Sequence, residues 1–330
     1  MKKLQRYPLT LSGLILLTGI LAVADLLVGG VSIGIKDLLN PDNEVARQIL
    51  LQIRLPRLLC AILAGSSLAI SGAQMQAVFR NPLADPHILG ISSGAALGAA
   101  LAAGGVGGGL AATATGSLTI AAAAFAGAAI ASAGVIAVSS RFKGAATLLI
   151  FGVLLGFVFS AITTITQYFS SEESLKLYHS WISGSYSSCG WNGLGFMAAS
   201  AVIGIALCIS NLKGLDVILF GEEFATASGA SVKAIRTKAL LSCCLMTAAI
   251  TAFCGPIGFV GIIAPHIAKA LTGTAVHSRL AAPVLLLGAS VSLLADVLSQ
   301  LFPVPIPVGA TMALAGIPVI MWILLGKRLW

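Results

Sequence analysis

The sequence predicts an all-α, polytopic membrane protein, and three observations carry that expectation. Of its 330 residues 58% are hydrophobic and 9% charged, against a charged share of about 25% in soluble domains. Its mean hydropathy is +1.00. About ten apolar runs follow one another, each near the length of about 20 residues that a helix needs to cross the hydrocarbon core. The runs are unbroken, whereas a membrane β-barrel would alternate apolar and polar residues over strands of about 10.

The first run, 8–30, follows Met1 to Arg6 as a signal sequence would. It is long enough to span and shows no small-residue cleavage site, so it reads as an uncleaved helix. The second, 58–79, places Gly65, Ala69, Ala73 and Ala77 at every fourth residue, and the third, 88–108, does the same with Gly90, Gly94, Gly98 and Ala102. Such ridges let helix backbones approach closely. A fourth run covers 117–139. The fifth, 145–168, carries Gly152, Gly156, Ser160 and Thr164 at that interval, with Thr163 and Gln167 beside them. This stripe reads either as packing or as the wet lining of a path. Runs at 193–210, 236–254, 257–272, 281–301 and 308–326 complete the set, and Pro265 predicts a bend in the eighth.

The whole of 1–330 reads as one transmembrane domain with two sizeable outer loops, 31–57 and 169–192, and one inner segment at about 215–235. The apolar-basic stretch Ile49 to Arg57 predicts a helix lying along the outer surface. Tyr178, Trp181, Tyr186 and Trp191 suit a membrane interface. With the N-terminus in the cytoplasm, only Lys36, Arg47, Arg54, Arg57 and Lys176 of the 19 Lys and Arg fall outside. The positive-inside rule then fits an even number of spans in a plasma (inner) membrane, with both termini cytoplasmic.

The net charge of +8 is spread singly between apolar runs, which argues against a nucleic-acid surface. The six cysteines have no metal-ligand spacing and read as small hydrophobes. His87, His179, His266 and His277 belong to no Ser/His/acid or HExxH pattern and read as structural, so neither a catalytic residue nor a metal ligand is expected. GxxxxGK[ST] is absent, which places any ATP and Mg²⁺ chemistry on a partner chain and leaves this chain without a cofactor. Ion-coupled transport is the alternative, and it would call for buried ionisable relays. Asp25 and Asp296 are the candidates, each near a helix end where a capped or snorkelling Asp serves as well.

Longer strings narrow the reading. Arg54-Leu55-Pro56-Arg57 leads through Gly65-Ser66-Ser67 to Arg80-Asn81-Pro82-Leu83-Ala84-Asp85-Pro86 and on to Gly90-Ile91-Ser92-Ser93-Gly94. Trp181-Ile182-Ser183-Gly184-Ser185, Gly221-Glu222, Gly258-Phe259-Val260-Gly261, Ala264-Pro265-His266 and Ala295-Asp296 follow in order. Over essentially its full length the chain resembles the FecCD-type permeases of ABC importers for iron chelates, haem and cobalamin. The resemblance implies a ten-helix, type II importer permease that pairs with a second copy of itself. Two cytoplasmic ATPases and a periplasmic or lipoprotein solute-binding protein would be the other partners, besides membrane lipid. The solute would be an iron(III)–siderophore, haem or cobalamin.

The resemblance also implies site roles. Arg54 and Arg57 would dock acidic residues of the binding protein, where the residues alone also allow interfacial anchors. Gly221, Glu222, Glu223, Ala225 and Gly229 would form the segment that engages the ATPase. By residue type that segment is a short surface helix with acidic residues at its start and Gly229 ending it in the left-handed region. Asn81, Pro82, Leu83 and Asp85 would form a cytoplasmic gate, though a proline-punctuated turn accounts for the same residues. Gly152, Gly156, Ser160, Thr163, Thr164 and Gln167 are the first candidates for the path lining. Gln300 and Pro305 depart from the family pattern, which has further charges at those outer positions.

Overall fold

The computed structural model describes residues 2–29, 44–104, 116–141, 144–302 and 304–325. Among them every regular element is helical: α1 (Lys2–Leu27), α2 (Glu44–Gln48), α3 (Leu55–Phe79), α4 (Ile91–Gly104), α5 (Gly116–Arg141), α6 (Ala145–Tyr168), α7 (Glu172–Ile182), α8 (Gly190–Ile218), α9 (Glu222–Ala227), α10 (Val232–Cys254), α11 (Val260–Thr272), α12 (His277–Gln300) and α13 (Val308–Leu325). Seven helical stretches are long and apolar enough to cross a membrane, and α4, α11 and α13 are shorter apolar helices. Together they occupy the ten expected runs. The end of the third run, beyond Gly104, and all of 30–43 in the first outer loop lie outside the described residues.

The stretch Ile49 to Arg57, expected to lie along the outer surface, instead runs as helix into α3. Glu44 to Phe79 is continuous, because a π-turn over Ile49–Arg54 joins α2 to α3. Leu55 N bonds Leu50 O across that turn. Pro56 has no N–H to give a helical partner, and the wider turn immediately before it absorbs the missing bond. The segment 169–192 also differs from its expectation. Tyr186 is fully buried and Tyr178 nearly so, while Trp181 Nε1 donates to Ala252 O at 3.0 Å and Trp191 Nε1 to Leu51 O at 3.1 Å. These aromatics staple α7 and the start of α8 to the bundle rather than forming a belt.

α3 is the axis of the bundle and packs on α8, α10, α11 and α12. Its small-residue ridge meets small residues of the neighbours. A Cβ on Gly65 would collide with Gly288 O, and one on Gly288 with Gly65 O, so α3 and α12 touch backbone to backbone. Gly94 of α4 and Gly127 of α5 meet in the same reciprocal way. In a bilayer, where apolar burial alone does not favour protein over lipid, such van der Waals fit is the main cohesive term.

Prolines inside the helices release carbonyls that polar side chains of other helices then satisfy. Pro283 cannot donate to Arg279 O, and the Tyr7 hydroxyl donates there instead, at 3.0 Å. Pro265 likewise frees Gly261 O, which accepts from Gln76 Nε2 at 3.2 Å. Gln76 Oε1 in turn accepts from Lys269 Nζ at 2.9 Å. An unmet carbonyl in a membrane interior costs several kcal/mol by order of magnitude, so these long-range bonds fix which helices are neighbours.

Candidate functional site

Arg54 and Arg57 are not surface residues. They are 3% and 4% exposed, and their guanidiniums turn inward to the end of α1. Arg54 Nη1 donates to Leu26 O at 2.6 Å and Leu27 O at 3.1 Å, and Arg57 Nη2 to Asp25 O at 2.9 Å and Val28 O at 3.2 Å. These are the carbonyls that the end of α1 leaves without helical donors, and positive charge there also complements the helix dipole. Arg57 Nε is ion-paired with Asp296 Oδ2 at 2.9 Å, and Arg57 Nη2 lies 3.7 Å from Asp25 Oδ1. Asp25 and Asp296 are themselves fully buried. Asp25 of α1, Arg57 of α3 and Asp296 of α12 therefore form one internal charge cluster. At the positions expected to dock a binding protein, both guanidiniums are buried and held by their own chain. Both arginines do edge a cavity of about 610 Å³ that Ser183, Ser185, Gln300 and Pro305 also line, so the two departing positions sit at the same mouth.

The turn between α3 and α4 is built as its residues predict. Arg80 ends α3 at φ 48°, Asn81 Oδ1 accepts from Leu83 N at 3.0 Å, and Asp85 Oδ1 accepts from His87 N at 2.9 Å, capping a 3₁₀ turn over Pro86–Leu89. His87 Nε2 donates to Ile257 O at 2.8 Å, leaving Nδ1 to accept from the Ser92 hydroxyl. Both ring nitrogens are thus used within the chain. The turn is locked to the 255–259 segment, in which Phe259 takes a left-handed φ of 70° before α11. A Cβ on Gly261 would lie 2.7 Å from Asp85 Oδ2, so α11 must be bare there for the cap to fit. Asp85→Ala is expected to lower stability by about 1 kcal/mol, the usual cost of a lost cap, and Asp85→Asn to retain most of it. Thermal unfolding midpoints in detergent read both.

The α6 stripe does not stay on one face. At 100° per residue an i+4 repeat drifts by about 40° per step, so Thr164 points roughly 120° away from Gly152. Gly152 and Gly156 pack on the 3₁₀ turn: a Cβ on Gly90 would lie 2.9 Å from Gly152 O and 3.1 Å from Gly156 N. These two glycines are helix contacts rather than path lining. Thr163 is buried and bonds Phe159 O at 2.8 Å, Gln167 is half-buried, and Ser160 and Thr164 are exposed.

The segment at 221–229 has the expected form. Gly221 (φ 115°) and Gly229 (φ 83°) bracket α9 in conformations that favour glycine. Ala225 is buried beneath it, Glu223 is exposed, and Glu222 pairs with the buried Arg236 of α10. Phe220 and Phe224 are 74% and 55% exposed with ring centroids 5.5 Å apart, a bare aromatic pair on a charged turn.

The FecCD transport family matches residues 15–326. The chain belongs to that family. It is 35% identical to the vitamin B12 import system permease protein BtuC of Yersinia enterocolitica over 86% of this chain and 83% of that one. It is 34% identical to the hemin transport system permease protein HmuU of Yersinia pestis, over 97% and 96%. An inward-facing structure of a metal-chelate type ABC transporter superimposes with a TM-score of 0.84 at 30% identity, covering 97% of this chain and 99% of that one. As a FecCD chain it is a multi-pass ABC permease with the type II importer fold. The Asp25–Arg57–Asp296 cluster, the Glu222–Arg236 pair and the Gln76–Lys269 bond went unseen in the sequence. The signal for the first was two acids and an unshielded arginine near one end of three apolar runs.

Proposed function

We propose that this chain is the membrane permease of a binding-protein-dependent importer for a bulky chelate, an iron(III)–siderophore, haem or cobalamin. It works as a pair of identical copies, with two ATPases on the cytoplasmic side, a solute-binding protein outside, and both termini cytoplasmic. The observation that carries the reading is α9. Exposed Phe224 of α9 and Phe220 just before it offer an apolar hold to an ATPase groove, and Glu222–Arg236 ties the same six-residue helix to α10, so a push on α9 enters the bundle as a rigid-body movement. Asn81, Pro82, Leu83 and Asp85 form the inner gate, moving as the locked turn they are. Ser160, Thr164 and Gln167 line the path where two copies face each other. Arg54 and Arg57 serve docking from beneath, by shaping the mouth that Gln300 and Pro305 share.

Proteoliposomes holding the permease and its ATPase, supplied with the purified binding protein, should take up one of ferric chelate, haem or cobalamin only when ATP is present. Uptake that persists without the ATPase and collapses with an uncoupler would instead favour an ion-coupled carrier. Gly229→Glu should leave ATP hydrolysis running while uptake falls at least about tenfold, the equivalent of about 1.4 kcal/mol. No atom lies within 4 Å of a Cβ at Gly229, so Gly229→Ala carries the same backbone strain without the bulk and charge. Equal losses in the two variants would assign the effect to φ alone.

A further inference from the structure

Three thiols and a thioether converge where α3, α8 and α10 meet. Cys60 Sγ lies 3.3 Å from Cys254 Sγ. Met197 Sδ lies 3.3 Å from Cys189 Sγ, 3.8 Å from Cys254 Sγ and 3.9 Å from Cys60 Sγ. All four residues are buried, and the cysteines are free thiols. Packing at these positions asks for small apolar side chains, which Cys supplies; it does not ask for sulfur at every one of four converging sites.

The cluster is also shallow. Cys189 immediately precedes α8, Cys254 is the last residue of α10, and Cys60 lies in the second turn of α3, just beyond Arg57. Cys189 lines a cavity of about 450 Å³ together with Trp181, Ser188, Trp191 and Phe253. A small apolar reagent in that cavity meets Cys189 first, with the Met197 sulfur and the other two thiols directly behind it.

We propose that Cys60 and Cys254 are a redox pair that forms a reversible disulfide, with Cys189 as the thiol that engages the oxidant, a small organic disulfide RSSR. Cys189 attacks RSSR, giving a mixed disulfide and one RSH. Cys60 then attacks Cys189 Sγ, releasing the second RSH and forming Cys60–Cys189. Cys254 attacks Cys60 Sγ, forming Cys60–Cys254 and returning Cys189 to its thiol. Two protein thiols are oxidised, one RSSR is reduced to two RSH, and the protons of Cys60 and Cys254 leave with the two thiols. The Cys60–Cys254 pair must close from 3.3 Å to a bond of about 2.05 Å, and it gets there by side-chain rotation between helices already in contact. The bond pins α3 to α10. That this end of the bundle faces the more oxidising side rests on the proposed orientation; the bond itself does not.

The full chain in detergent, treated with 2,2′-dithiodipyridine, is the test, read by released pyridine-2-thione and by mass spectrometry of its peptides. A Cys60–Cys254 crosslinked peptide is expected, with a raised thermal unfolding midpoint, both reversed by dithiothreitol. Cys254→Ser should stop the relay at Cys60–Cys189, and Cys189→Ser should slow crosslinking at least tenfold. The proposal is overturned if wild-type protein accumulates only the mixed disulfide at Cys189 while Cys60 and Cys254 remain alkylatable after denaturation. That readout uses the native chain and holds even if a serine variant does not fold.

Discussion

Arg57→Met is expected to be the most damaging single substitution of a charged residue in this protein. It strips the counter-charge from two fully buried carboxylates, Asp25 and Asp296, and removing one member of a buried ion cluster costs about 3–5 kcal/mol. It also leaves Asp25 O and Val28 O at the end of α1 without their donor. The variant should give little monodisperse protein in detergent, and a strongly lowered unfolding midpoint in what remains. The triple replacement Asp25→Asn, Arg57→Met, Asp296→Asn should recover part of that loss, since no unpaired charge is then buried and a neutral amide costs less to desolvate than a carboxylate. Arg54→Ala removes hydrogen bonds to Leu26 O and Leu27 O but leaves Asp25 and Asp296 with Arg57, so its effect should be smaller. A residue serving only to meet a binding protein would behave in the opposite way, with an unchanged midpoint and a lost affinity for that protein. An unchanged midpoint for Arg57→Met would therefore count against a structural role for the cluster.

The same residues show what a sequence can and cannot reveal here. Helical class follows from run length, and the ten runs reappear among the described residues as ten apolar helical stretches, seven of them long enough to cross a membrane and three shorter. Local chemistry also carried over. Asp85 caps the turn after the prolines, and Gly229 takes the left-handed conformation that ends α9. Facing was harder. The i+4 stripe on α6 is regular in sequence but winds around the helix, so Gly152 packs inward while Ser160 and Thr164 face out. Charge pairing was hardest, because Asp25, Arg57 and Asp296 come from three helices. Positive-inside counting treats an outer arginine as exposed, and only the packing of α1 and α12 against α3 shows that the cation is internal. Relatives with a charged residue at the position of Gln300 would place it in the cavity that Arg54 and Arg57 edge.

Gly72→Ala is the second substitution expected to have a large effect, out of proportion to the single methyl it adds. A Cβ on Gly72 would fall on the carbonyl group and Cα of Gly261, backbone atoms that cannot rotate away, so α11 must move off α3. Three bonds or contacts depend on that approach. Gly261 O is the carbonyl that Pro265 frees and Gln76 satisfies; Gln76 in turn holds Lys269; and Gly261 itself is bare so that Asp85 can cap the turn between α3 and α4. Overpacking of this kind costs about 1–3 kcal/mol, and exposing the freed carbonyl adds to it. Gly72→Val should be worse still. Gly195→Ala is the control. That glycine lies in α8 with nothing within 4 Å of a Cβ, so the same methyl should be neutral or stabilise the helix by up to about 1 kcal/mol. Unfolding midpoints of the two alanine variants separate a helix-crossing constraint from a general intolerance of larger side chains. If α3 and α11 can part without penalty, the two midpoints will match, and the turn between α3 and α4 then does not depend on their contact. If they differ as expected, ATP-driven uptake by Gly72→Ala at a permissive temperature becomes the sharper measurement. A displaced Gly261 loosens the Asp85 cap, so uptake should fall further than the loss of folded protein accounts for.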